Sequence, residues 1–244
     1  MSKRLKFFLT HLSISLLIAL LVIGLVFFVW YPAPLAQAVG VTHIFLMLLA
    51  IDVVIGPVLG GGVYKECKKS LKFDLTVIIL LQISALSYGV YSIEQGRPAW
   101  LVYNVDRFEV ARKNEIIQDN IAKAFPKYQQ PSWLKPQFVA TEFAKDANQR
   151  SDDMFAEVLG GISIAQRPER YVELNKAKKQ MQQRAQKLEL LQLYNNKTDV
   201  EKILMKYPQA TAFFPLKASA VDMTVLINKE TTEIVEIVDL RPWH

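Results

Sequence analysis

Cysteine is nearly absent from this 244-residue chain: Cys67 is the one thiol, so no intrachain disulfide can staple the fold. Histidine is scarce too. His11, His43 and His244 are the only three, and none falls in an HExxH or comparable spacing, which argues against a histidine-built metal site. The chain has no Gly-rich phosphate loop, no nucleophile elbow and no internal repeat. An intramembrane aspartyl protease needs two facing carboxylates. The candidates, Asp52 and Asp74, lie roughly 15–20 Å apart in depth at ~1.5 Å rise per residue, and no GxGD frames either. These absences point away from an enzyme, and they imply no metal and no organic cofactor.

Charge is missing as well, over three long stretches. Residues 7–30 and 75–93 carry no formal charge, and residues 42–64 carry one, Asp52. A helix needs about 20 apolar residues to cross a ~30 Å hydrocarbon core, and each stretch is near that length. Almost everything apolar and uncharged lies before Glu94; after it the composition is that of a soluble domain. The fold class is therefore a membrane protein, with an N-terminal bundle of three transmembrane α-helices (residues 1–95) followed by an exported α+β domain (residues 96–244).

The lysines orient it. Lys3, Arg4 and Lys6 precede the first span, and Lys65, Lys68, Lys69 and Lys72 crowd the loop after the second, whereas "YPAPLAQAVG" after the first is uncharged. Short basic loops stay cytoplasmic. The N-terminus and the Lys-rich loop with Cys67 are thus expected inside. The loop after Trp30 and all that follows Ile93 are expected outside, which in a bacterium means an inner-membrane protein with a periplasmic domain. Ala36-Gln37-Ala38 is an A-x-A pattern, but it lies well beyond an apolar run longer than the ~7–15 residues of a signal peptide, which favours a retained anchor. The net charge of +6 resides mostly in the two cytoplasmic patches. The exported domain is close to neutral, so the basic balance marks topology rather than a nucleic-acid face.

The second span holds an odd group: an aspartate and a Gly-Pro in "LLAIDVVIGPVLGGGVYKECKK". On a helix, Asp52, Gly56 and Gly60 share one face, and Gly56 with Gly60 forms a small-xxx-small pattern that admits another backbone. Pro57 cannot donate to the Val53 carbonyl, so a bend is expected there, and Gly60 to Gly62 are expected to loosen the end. Asp52 lies ~18 Å from Tyr64, near mid-membrane, and needs a polar partner. Ser84 lies at the same depth on the third span, with Gln82 and Ser87 within a turn. Asp52 is then bundle glue bonded to Ser84 or Gln82, a contact for an incoming transmembrane helix, or part of a proton relay. His11 is expected at the cytoplasmic interface and His43 at the outer edge.

In the exported part, residues 100–110 read as a strand, and residues 113–124, 152–159 and 176–194 as helices, the last polar on most faces and solvated. Thr198 to Glu201 has the spacing of a capping box opening a short helix to Tyr207. Residues 221–227 and 234–240 read as a β-hairpin.

Several motifs taken together are similar to a known family. "WYP" at 30–32, "IDVVIGPVL" at 51–59, a Lys-rich loop followed by "DL" at 74–75, "GRPAWLVYNVDRFEV" at 96–110 and "DLRPW" at 239–243 resemble the type IV pilin accessory proteins of the TfpX/TfpZ family. The resemblance is strong in the membrane region and at the C-terminus and weak over residues 125–211; the Gly60-Gly61-Gly62 run departs from it. It implies a protein that binds its cognate type IV major pilin and supports the pilin's stability or its delivery to the pilus assembly machinery, among membrane lipids and without nucleic acid. An unassembled pilin is itself a single-span protein with an exported head, so a groove for its helix and a domain for its head would both be needed. On this reading Asp52, Gly56, Pro57 and Gly60 form the groove with Gln82 and Ser84 opposite. Arg97, Asp106, Arg107, Asp239, Arg241 and Trp243 shape the membrane-proximal surface of the domain. Alternatively, Arg97 and Arg107 anchor at headgroups or pair with Asp106 and Asp239, and Trp243 is an interfacial belt residue. The competing functions are a membrane sensor or scaffold binding another envelope partner, and a pilin-modifying enzyme.

Overall fold

The structure, a computed structural model, describes residues 2–66, 68–142 and 146–243; Cys67 and His244 lie outside them. Helix α1 (Lys3–Leu25) runs on as a π-helical turn (Val26–Trp30), α2 (Leu35–Ala38) is a single turn, and α3 (Val41–Val63) and α4 (Leu71–Gln95) follow. Among the described residues, Lys3–Trp30 (28 residues), Val41–Val63 (23) and Leu71–Gln95 (25) are long and apolar enough to cross a membrane. Ser2 starts α1 by accepting the Leu5 N–H at 3.3 Å. Pro57 lies inside α3, and the helix continues through all three glycines to Val63. The helix stays regular there instead of loosening, while neighbours fill the space of the missing side chains at two of the three glycines, Gly60 and Gly61. A Cβ at Gly60 would come within 3.0 Å of Phe7, and one at Gly61 within 3.2 Å of Phe8.

The chain forms two compact units. One comprises the residues up to Val29 with Val41–Gly96; the other joins Trp30–Gly40 to the chain from Arg97 onward. In the second unit, β1 (Pro98–Asn104), β2 (Arg107–Arg112), α5 (Pro126–Gln129), β3 (Gln137–Thr141), α6 (Ala147–Gly160), β4 (Tyr171–Val172), α7 (Lys178–Arg184), α8 (Lys197–Lys206), β5 (Ala212–Lys217), β6 (Met223–Ile227) and β7 (Ile234–Val238) alternate with 3-10 turns. The strands make one mixed sheet in the order β4-β3-β1-β2-β5-β6-β7. The β1–β3 and β2–β5 pairs are parallel, and the others antiparallel.

Both faces of this sheet are buried, as strand alternation requires. Leu101 and Tyr103 of β1 join Phe108, Phe214, Leu216, Met223 and Val225 on one face, under Met181 of α7. Trp100 and Val102 point the other way, to Ile116, Tyr128 and Tyr171. Phe213 and Leu226 fill that second face further along, beneath Leu191 and Val200.

The segment after the first span belongs to this core. Leu35 and Ala38 are buried against the Phe214 face, the Ala38 carbonyl accepts the Ala220 and Val221 N–H groups (2.9 and 3.0 Å), and Trp30 Nε1 donates to the Trp133 carbonyl (3.1 Å). Gly40 ends the strap at φ +74°, where a Cβ would sit 3.0 Å from Ala220. The absence of charge in "YPAPLAQAVG" therefore has a second cause: Tyr31, Leu35, Ala36 and Ala38 are buried, and unpaired charge at those positions would be costly.

The secondary structure departs from expectation in four places. Residues 100–110 are not one strand; β1 and β2 form a hairpin that turns at Val105 (φ +59°) and Asp106. Residues 113–124 are two 3-10 turns (Lys113–Glu115, Ile121–Lys123) rather than a helix, because the Ile117 N–H is taken by the Gln166 carbonyl. Residues 176–194 break after α7, where Gln186 exchanges two 3.0 Å backbone bonds with Phe213, and resume as a 3-10 helix (Leu188–Leu193). This stretch is not a solvated helix, since Met181 and Leu191 are fully buried. Helix α8 is capped by Asn196, which accepts the Thr198 N–H at 2.9 Å; Thr198 itself is already inside the helix.

Candidate functional site

The membrane unit is organised around Gln82. Its Nε2 donates to Ser15 Oγ (3.0 Å) on α1 and to the Asp52 carbonyl (3.1 Å) on α3, and its Oε1 lies 2.9 Å from His11 Nε2. Both amide hydrogens are committed, so the oxygen accepts and His11 carries its proton on Nε2. His11 Nδ1 is buried and has no hydrogen-bond partner among the described residues. Helices α1 and α4 each pack along α3 and meet one another chiefly through this amide. The Asp52 side chain neighbours Gln82 and His11. His11 is therefore bonded into the interhelical cluster around Gln82.

The glycines of α3 make room for this arrangement. A Cβ at Gly56 would land on the Gln82 amide, and one at Gly60 would press on Phe7 and His11. Gly56, Pro57 and Gly60 are all buried by the chain's own helices. On α4, Gly89 does the same for Leu48, whose side chain would lie 2.8 Å from an added Cβ. Ser84 is not beside Asp52: it is exposed, in a stripe with Phe73, Val77, Leu80, Ser87, Tyr88 and Tyr91 along one face of α4. At the basic end, Arg4 Nε donates to the Gly61 carbonyl (2.7 Å) and Phe7 stacks on Tyr64.

In the domain, the six residues expected at a surface divide three ways. Arg97 is buried, 1% exposed, and donates to the Ser132 carbonyl at 2.7 Å. Asp106 is exposed at the hairpin tip, while Arg107 turns to Glu109 (3.3 Å) and Glu157 (3.5 Å) rather than to Asp106. Asp239 pairs with Arg241 within the C-terminal motif. That motif is a latch. Arg241 also donates to the Asp222 carbonyl, its backbone exchanges two bonds with the Asn195 side chain (2.7 and 2.8 Å), and Trp243 Nε1 donates to Asp222 Oδ2 at 2.7 Å. Partial burial lowers the pKa of the Arg241 guanidinium. Trp243 is accordingly bound to the domain through Asp222.

Two further clusters escaped the sequence reading, since neither has motif spacing. Buried Glu109 accepts from Asn104 Nδ2 (2.9 Å) and Ser163 Oγ (2.8 Å), beside Arg107. Buried Asp153 on α6 takes Arg167 (2.9 Å) and Arg170 (2.8 Å). A half-open cleft of about 630 Å³ lies near the β4 edge, and an ion pair between Lys127 and Glu173 sits in its wall.

Three membrane-length helices pinned by one amide, followed by a mixed-sheet domain that takes in the segment after the first span, define a membrane-anchored α+β protein. Comparison with known proteins gives the family. The chain is 32% identical over 240 residues to a fimbrial assembly protein of Dichelobacter nodosus, serogroup I, covering 93% of this chain and 92% of the relative. The serogroup E1 protein is 31% identical over the same length, and a protein of serogroups C1 and C2 is 37% identical over 117 residues, 47% of this chain and 88% of that one. A family profile described as fimbrial assembly protein FimB matches residues 1–40. The chain belongs to this family of fimbrial assembly proteins. No solved structure matches it.

Proposed function

We propose that this protein is an inner-membrane accessory protein of type IV pilus biogenesis that binds its cognate major pilin and supports the pilin's stability or delivery to the assembly machinery. The observation that carries the reading is the near-full-length similarity to proteins named for fimbrial assembly, in a chain with both a membrane bundle and an exported domain. The role is one of binding rather than catalysis. The N-terminus is cytoplasmic and the α+β domain periplasmic, as the lysine distribution favours. The strap supports a shared side for its two ends: the first external loop and the domain share one hydrophobic core, and two membrane crossings separate them.

Within the membrane, Asp52, Gly56, Pro57, Gly60 and Gln82 shape the bundle, and the open face of α4 with Ser84 receives the pilin's apolar helix. The hydroxyls of Ser84 and Ser87 suit an interhelical contact in a medium without water. The test is affinity purification of the full-length protein from its host, with the major pilin quantified in the eluate and piliation scored in a deletion strain. Co-purified pilin together with loss of pili on deletion is expected. No pilin in the eluate and normal piliation would sink the proposal.

A further inference from the structure

The basic end of the bundle is assembled from two distant stretches of chain. Lys3, Arg4 and Lys6 open α1, and Lys65, Lys68, Lys69 and Lys72 lie in or just after the α3–α4 turn. Orienting a protein in a membrane requires only that such charges lie on one side. Here the two stretches also touch. Arg4 Nε donates to the Gly61 carbonyl at 2.7 Å, Lys3 Nζ lies 3.6 Å from Glu66, and Phe7 stacks on Tyr64 with ring centroids 5.3 Å apart. The acidic residues of the cluster are both taken, Glu66 by Lys3 and Asp74 by Lys68 at 2.6 Å. Arg4, Lys6, Lys65, Lys69 and Lys72 remain exposed, with no carboxylate partner among the described residues. Helices α1 and α4 both begin at this end, so the positive ends of two helix dipoles add to the uncompensated charge.

The place of the cluster decides which anion it takes. Its cations stand at the ends of helices of membrane length, the depth at which phospholipid phosphates lie. Apolar side chains are interleaved with them: Leu5, between Arg4 and Lys6, is 45% exposed, and Phe73, next to Lys72, is 71% exposed. An anionic phospholipid matches both features, its phosphate meeting the cations and its acyl chains meeting Leu5 and Phe73. A free phosphate or a nucleic acid leaves those apolar side chains without a role. A soluble acidic protein competes with lipid that already surrounds the site. Clusters of Lys and Arg beside a membrane helix draw anionic lipid, and the attraction fades within a Debye length.

We propose that this end of the bundle is a binding site for an anionic phospholipid, whose headgroup phosphate ties the start of α1 to the α3–α4 turn. The proposal rests on membrane insertion and is independent of the pilin reading. Native mass spectrometry tests it, on the full-length protein released from bilayers of equal parts phosphatidylglycerol and phosphatidylcholine. Retained phosphatidylglycerol is expected, favoured over phosphatidylcholine by about tenfold or more. The variant K65Q/K69Q/K72Q is expected to lower that preference to about threefold or less. Neutralising these lysines also weakens the signal that orients the spans, so a second measurement uses the wild type. Raising the salt before release should erode its preference, because screening weakens exposed charge but not acyl-chain contact. Equal retention of the two lipids by the wild type would overturn the proposal. So would a phosphatidylglycerol preference that survives either the triple variant or high salt. Displacement of the lipid by inorganic phosphate at constant ionic strength would assign the site to a free anion and overturn it as well.

Discussion

In the membrane unit the side chain with most partners across helices is a glutamine; in the domain the largest buried side chains include Trp100, Tyr103, Tyr171, Phe108, Phe213 and Phe214. The reversal follows from the solvent. In water, removing an aromatic ring from contact with solvent is the main source of stability, so the domain spends its rings on both faces of the sheet. In lipid the surroundings are as apolar as leucine, so burying leucine gains little. Glycines that let helices approach and an amide that bonds across them supply the association instead. The same residue type has opposite value in the two halves: an exposed Leu81 on α4 needs no cover, whereas an exposed Leu159 on α6 does.

Cutting into each half tests that contrast. The largest effect belongs to the domain core. Phe214→Ala should cost about 3–5 kcal/mol, read as lowered thermal stability of the full-length protein in detergent, with α1, α3 and α4 still helical. Asp153→Ala comes next: it leaves two arginines facing an empty site and should cost up to roughly 3–5 kcal/mol locally, since breaking a buried pair strands its partner. Because it frees α6, limited proteolysis should cut near residues 147–160 before the rest of the domain. Gln82→Leu removes three interhelical bonds at ~0.6 kcal/mol each, so the bundle should loosen by only about 2 kcal/mol. Disulfide crosslinking between cysteines placed on α1 and α4 would report it. A loss as large as that of Phe214→Ala would break the comparison.

The smallest effect is a titration. Hydrogen bonding and charge from Lys127 hold the Glu173 carboxyl below its ordinary value. Its folded pKa is depressed, so the stabilisation is present above the ordinary Glu range and is lost as pH falls through the folded value. The pair is solvent-exposed and screened by salt, so the slope should be shallow and visible only at low ionic strength. Glu173→Gln should flatten that acid limb of a melting-temperature profile by lowering its neutral plateau slightly, to the level the wild type reaches in acid.

The membrane spans were legible because apolar length is a one-dimensional property, and the sequence ranges fall within a few residues of the helices. The closing hairpin was legible for a similar reason, being local. What escaped was set by distant partners. Val105 is β-branched and sits at positive φ, so the β1–β2 turn carries no ordinary turn signal. Pro215 hid β5, yet it is tolerated in an interior strand because β5 meets β2 only from Leu216 onward. The helix expected over 176–194 yields at Gln186 because Phe213, 27 positions later, takes its backbone bonds. Within the bundle, depth matching named Gln82 and Ser84 together, and only their angular positions on α4 separate a pinned residue from an exposed one.

The strap over residues 30–40 makes the domain discontinuous in the gene. Leu35 and Ala38 precede α3 and α4 in the chain, and their packing partners in the sheet follow those helices. An excised fragment beginning at Arg97 would carry a sheet with part of one face stripped and the Ala220 and Val221 N–H groups deprived of their acceptor. A soluble form would need residues 30–40 grafted back. In the full chain, a helix that failed to cross would strand the strap and the sheet on opposite sides of the bilayer. On the topology proposed above, the domain can close its core only when both crossings have been made, so its stability would double as an inspection of the protein's own insertion.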